Sequence, residues 1–101
     1  MRRHIVLYLL TARFAGAAEI PYEQAPEIGS SHNCILFVSQ ARADHDFDFA
    51  RALMKRYGWA DVEFSRAGPF SPESINSQQM SVFQRHYEEC VQHGDALVWY
   101  A

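Results

Sequence analysis

The sequence predicts a single α/β domain, or an α+β sandwich, with elements in the order β-β-α-β-α-β that build a four-stranded mixed sheet and two helices. Three observations lead there. The chain has 101 residues, enough for one domain spanning 1–101 and no more. Apolar residues make up 49% and charged residues 21%, proportions that exclude disorder, a collagen-like repeat and a coiled coil. Runs with apolar side chains on both faces alternate with stretches whose apolar residues recur every three or four positions, as strands alternate with helices.

Residues 4–13 read as the first strand, with Ile5, Leu7 and Leu9 on one face and Val6, Tyr8 and Leu10 on the other. Together with Arg2, Arg3 and the Ala15-Gly16-Ala17 triplet this segment imitates a signal peptide. The imitation fails, because six apolar residues are too few and Arg13 interrupts the approach to the small residues. Residues 15–33 break the pattern with Gly16, Pro21, Pro26, Gly29, Ser30 and Ser31, the composition of a loop. So long a connection is unusual in a compact domain, and an arm reaching a neighbour is one reading of it.

Cys34 to Ser39 follows as a second strand, with Ile35, Leu36, Phe37 and Val38 consecutive; apolar on both faces, it belongs in the middle of the sheet. Over residues 44–57, Phe47, Ala50, Leu53, Met54 and Tyr57 draw one stripe of a helix that Gly58 closes. Residues 61–66 place Val62 and Phe64 inward and Asp61, Glu63 and Ser65 outward, which marks an edge strand with one wet face. Ser71-Pro72-Glu73 is a helix-start signal, with Ser at the cap and Pro where a missing N–H costs nothing. Met80, Phe83, Tyr87, Cys90 and Val91 supply that helix's stripe, and Gly94 ends it after His93. Ala96 to Tyr100 is the last strand, apolar on both faces and expected in the interior.

Strand-helix-strand-helix-strand with short joints is the pattern of βαβ units, whose adjacent strands run parallel. Two strands that need cover on both faces leave two arrangements. Either the helices lie on opposite sides of the sheet, or they share one side and a second subunit covers the other. Trp99 and Tyr100, close to any exposed face, favour a homodimer.

The formal net charge is −3, from nine Lys and Arg against twelve Asp and Glu, which removes most of the case for nucleic acid as a partner. Arg2, Arg3 and His4 form a small basic group; Arg51, Lys55 and Arg56 read as a solvated helix face. No run approaches the roughly 20 apolar residues needed to span a bilayer. Cys34 and Cys90 match neither a redox motif nor a paired zinc knuckle and read as reduced, packed thiols in a cytoplasmic protein.

Three constellations bear on chemistry. His86, Cys90 and His93 share one helical face and are all metal-ligand types, yet Cys90 belongs to the core stripe and the histidines border it, so packing explains them as well as a metal does. Asp44, Asp46 and Asp48 alternate as cation ligands would. A calcium loop requires Gly and Glu where Phe49 and Lys55 stand, so helix capping accounts for the acids. The loops 40–45 and 66–71 precede helices, and Arg42, His45, Arg66 and Ser71 could meet there on a small anion, opposed by Asp44, Asp46 and Glu73. There is no nucleophile elbow, Gly-rich phosphate loop or HExxH. Phe37, Phe64, Phe83 and Tyr87 lie on inward stripes rather than on a base-stacking platform.

The expectation is a non-enzymatic protein-interaction or regulatory module acting as a homodimer, with a protein partner, no cofactor and no assigned metal. The alternative is a metal- or small-anion-binding protein, or a minor enzyme, using His86, Cys90 and His93 or the loops 40–45 and 66–71.

Overall fold

A computed structural model describes residues 4–19, 22, 24–42, 44–69 and 84–100. The elements run β1 (His4–Phe14), β2 (Ser31–Gln40), α1 (Phe47–Arg56), β3 (Trp59–Pro69), α2 (Gln84–His93) and β4 (Asp95–Trp99), in the expected order. The caps of α1 are those its sequence encodes. The Asp46 carboxylate accepts the Phe49 N–H at 3.1 Å, and Gly58 follows the C-cap Tyr57 with φ +95°. A side chain at Gly58 would be strained on two counts: its φ is left-handed, and its Cβ would sit 3.0–3.1 Å from Ala18 and the Phe14 ring. The helix-start signal at Ser71-Pro72-Glu73, the stripe residues Met80 and Phe83, and the basic pair Arg2 and Arg3 lie outside the described residues.

The four strands form one sheet in the order β3-β1-β2-β4, and every neighbouring pair is antiparallel. This corrects the expected mixed sheet. The physical reason is the hairpin: β1 and β2 pair without interruption from His4 opposite Gln40 to Arg13 opposite Ser31. The crossover through α1 then delivers β3 parallel to β2, as a βαβ unit requires, but on the far side of β1. Strands that run parallel are therefore never neighbours.

The helices cover opposite faces, which decides between the two arrangements left open by the sequence. On one face Val6, Tyr8, Leu10, Ala12 and Phe14 of β1 and Cys34, Leu36 and Val38 of β2 pack with Ala50, Leu53, Met54 and Tyr57 of the α1 segment and with Trp59. Phe37, Cys90 and Ala96 form the buried centre of the other face, with Ile5, Leu7, Ile35, Tyr87 and Val98 half-buried around them. Each fully buried Leu, Val or Phe contributes roughly 1.5–3 kcal/mol relative to an exposed one, so both faces favour the fold. The α1 face buries more among the described residues.

Two further expectations are corrected. β4 is an edge strand rather than an interior one: Ala96 is buried, but Leu97, Val98 and Trp99 are only half-buried, because β4 pairs with β2 alone. The loop after β1 is also shorter than the expected 15–33. It ends by residue 30, and its described residues fold back onto the domain: Ala15 and Gly16 N–H groups donate to the Gly58 carbonyl, Glu19 N–H to that of Arg56, and the Tyr22 hydroxyl to that of Tyr57. Backbone groups that a free arm would leave to water are satisfied by the end of α1. No helix among the described residues is long and apolar enough to cross a membrane.

Candidate functional site

The histidine-cysteine trio does not converge. Cys90 is fully buried beside Phe37 and Ala96, whereas His93 is exposed, so the thiol lies in the core and apart from the histidines' polar surroundings. No group of three His, Cys, Asp or Glu residues stands at metal-binding distance among the described residues. The two cysteines lie on opposite faces of the sheet and are unbridged; burial pushes the Cys34 thiol up to about 12.

The β2–α1 loop borders a cavity of about 640 Å³. Its residues are organised by a buried phenol. The Tyr8 hydroxyl accepts the Asp46 N–H at 2.7 Å and donates to Gln40 Oε1 at 3.0 Å, while Gln40 Nε2 donates to the carbonyls of Arg42 and Asp44. Asp46 is the helix cap, Asp48 stands in the first turn, and the Asp44 carboxylate binds the Arg42 guanidinium at 2.8 Å in the open. The His45 ring lies 4.3 Å from that of Phe47. Arg66 is not part of this arrangement. It pairs with Leu9, which pairs with Ile35, four positions before Ser39 and two strands away, so about 13 Å of strand separates it from the loop along the sheet. Ser71 lies outside the described residues. What remains is Arg42 and His45 among three carboxylates, a poor setting for an anion.

The arrangement that sequence reasoning missed lies along the edge of β4 that no described strand pairs with. There a cleft of about 550 Å³ opens between the two layers of the domain. Tyr22, Gln24 and Tyr57 form one wall, Arg85, His86, Glu89 and His93 the other, and Asp95, Ala96 and Leu97 the floor. Tyr57 anchors the strand by donating to Asp95 Oδ1 at 2.5 Å, and Tyr22 is in turn held by the Trp59 Nε1–H at 3.0 Å. Burial pushes the Tyr22 phenol up to about 12, and burial together with the Asp95 contact raises Tyr57 further, so both remain protonated donors. On the opposite wall burial lowers the pKa of His86. Its Nδ1 is 3.8 Å from Glu89 and has no hydrogen-bond partner among the described residues.

The floor exposes backbone. Ser39 N–H donates to the Gly94 carbonyl and Tyr100 N–H to that of Asn33, which sets the phase of the β2–β4 ladder. By alternation, residues 94, 96, 98 and 100 turn their peptide groups toward β2, and Asp95, Leu97 and Trp99 turn theirs outward, the first two at the cleft. The signal for this was present in the sequence as Ala96-Leu97-Val98-Trp99, a run without charge or proline, but it reads equally well as an interior strand. Chemically the cleft offers alternating N–H donors and C=O acceptors between two polar walls. Among the described residues that line it, the one hydroxyl–carboxylate contact is that of Tyr57 with Asp95. The chain matches no known protein family, and no curated protein or solved structure aligns with it.

Proposed function

We propose that this protein is a non-enzymatic protein-interaction module, acting in the cytoplasm as a homodimer, that takes up an additional strand on the open edge of β4. One observation carries the reading: among the described residues no strand pairs with the outward peptide groups of Asp95, Leu97 and Trp99, and no charged or proline residue follows Asp95 within β4 to block them. A row of unpaired edge groups is a template for pairing, and strand addition is a recurrent mode of protein recognition. Light scattering coupled to size exclusion tests the homodimer: twice the 11.6 kDa chain mass is expected, and a monomer at high micromolar concentration overturns it.

A second reading, a small-ligand protein, draws on the 640 Å³ cavity of the β2–α1 loop with Arg42 and His45 at its rim. Thermal denaturation with inorganic phosphate tests it. A stabilisation that Arg42→Ala removes supports a ligand site; no change in Tm at millimolar phosphate dismisses the anion form of it.

A further inference from the structure

We infer that the strand received by the β4 edge is β4 of a second copy, antiparallel and centred on Leu97, so that two four-stranded sheets join into one of eight. The inference rests on the reading of the protein as a homodimeric interaction module, and deepens it by naming the surface and the register. Its basis is the internal symmetry of the edge. Among the described residues, outward peptide groups belong to Asp95, Leu97 and Trp99 of β4, with Leu97 midway. A two-fold axis through Leu97 sets Leu97 opposite its counterpart and Asp95 opposite Trp99 at both ends. Each of these is a hydrogen-bonded pair that exchanges two N–H···O=C bonds.

The side chains agree with this register. Asp95, Leu97 and Trp99 point to the α1 face, where Leu97 and Trp99 already pack against the core. The pairing brings Trp99, whose Nε1–H makes no hydrogen bond among the described residues, opposite the carboxylate of Asp95 from the other copy. Tyr57 occupies only Oδ1 of that carboxylate, leaving Oδ2 to accept. On the other face α2 packs on both β4 and β2, so its axis lies inboard of the edge. With adjoining strands about 4.8 Å apart, the two α2 helices then stand near the 8–10 Å at which helices pack. Arg85 and Glu89, paired at 3.4 Å within one helix, face the same cleft.

The β3 edge does not compete as the dimer surface. It changes register with β1 at two places, carries Asp61 at φ +52°, exposes Asp61, Glu63 and Arg66, and ends in Pro69. Each of these features blocks continuous pairing.

The test compares Leu97→Pro with Leu97→Ala. Proline at 97 removes an N–H that points into the cleft and breaks no β2–β4 hydrogen bond, whereas alanine shortens the same side chain and retains the N–H. Light scattering on the full chain is expected to give a dimer for the wild type and Leu97→Ala. For Leu97→Pro, with an unchanged far-ultraviolet circular dichroism spectrum, a dissociation constant at least about tenfold weaker is expected. Amide hydrogen exchange of the wild type provides a readout that does not depend on how the variants fold. Exchange at Asp95, Leu97 and Trp99 is expected to slow as protein concentration rises, and exchange at Ala96, Val98 and Tyr100 to stay constant. A dimer that Leu97→Pro leaves intact, or concentration-independent exchange at the three outward amides in a dimeric sample, overturns the β4 register and leaves the homodimer reading standing. A wild type that stays monomeric at high micromolar concentration removes both.

Discussion

The two edges of this sheet are built to opposite rules. β3 is 11 residues long and β4 only five, yet the longer one is the protected one. Its pairing with β1 is interrupted between Leu9 and Leu10 and again between Thr11 and Arg13, and Arg13 reaches across at 2.8 Å to Asp61 at the second irregularity. Charged side chains and bulges twist and solvate that edge, so another strand cannot dock along it. β4 pairs with β2 in unbroken register and carries no charge after Asp95. Sheet proteins protect edges because open ones aggregate, so an edge left flat beside a polar cleft points to a use for it. Length alone therefore does not rank edges as binding surfaces. Register and charge do.

The contrast is sharpened by asking what roots each edge, starting where the effect is largest. Trp59 begins β3. It is buried among Phe14, Tyr22 and His32, with its ring 5.2 Å from that of Phe14. Trp59→Ala is expected to cost about 3–5 kcal/mol, read as a fall in the urea midpoint, because it empties a large site in the principal core. A loss under 1 kcal/mol, on the order of a surface change, would show that β3 is not anchored there. Gly58→Ala, immediately before it, is expected to cost about 1–3 kcal/mol through the left-handed φ and the close approach of Ala18. Thermal unfolding measures it, and an unchanged Tm contradicts the close packing of the loop after β1 on the end of α1.

At the other edge a side-chain hydrogen bond supplements the pairing of β4 with β2. Tyr57→Phe removes the donor to Asp95 and is expected to lower stability by about 1 kcal/mol. Its distinguishing mark is local: amides of β4 should exchange faster while those of β3 do not. Uniform acceleration across the sheet would mean that Tyr57 acts through the core alone. The smallest effect is one of pH. Burial lowers the pKa of His86 in the folded protein, so the unfolded chain binds the proton more tightly. Stability is then complete above the unfolded value near 6.5 and declines as pH falls through it. Between about pH 7.5 and 5.5 the wild type should lose less than about 4 °C of Tm relative to His86→Phe, because the site is partly open to solvent. Equal pH dependence of the two proteins refutes a buried neutral His86.

Local structure was legible in the sequence wherever one residue type has one physical use. Asp46 caps α1 and Gly58 ends it because an acid at a helix start and a glycine at a left-handed position are each specific. Val62 and Phe64 alternate with Asp61 and Glu63 because one face of β3 is wet. What escaped was pairing. Ile35–Val38 and Ala96–Trp99 look alike as apolar runs, yet one is central and the other peripheral, since hydrophobicity reports cover above and below a strand and carries no information on what lies beside it. The two consecutive strands without an intervening helix were the available sign of a hairpin. The Tyr57–Asp95 contact joins residues 38 apart, and no spacing rule reaches that far.

The candidate site follows the same division. His86, Cys90 and His93 were visible as metal-ligand types on one helix, but only the packing of α2 on Phe37 and Ala96 shows Cys90 turned inward and the histidines left at the cleft wall. The sequence alone determined the number, kind and order of the elements, the caps of α1 and the acidic balance of the chain, because these depend on neighbours within a few residues and on composition. Tertiary structure decided which helix covers which face, which strand lies at which edge and where the polar groups of distant segments meet. Those outcomes come from burying two faces of one sheet at once, a condition on the whole chain that no local pattern contains.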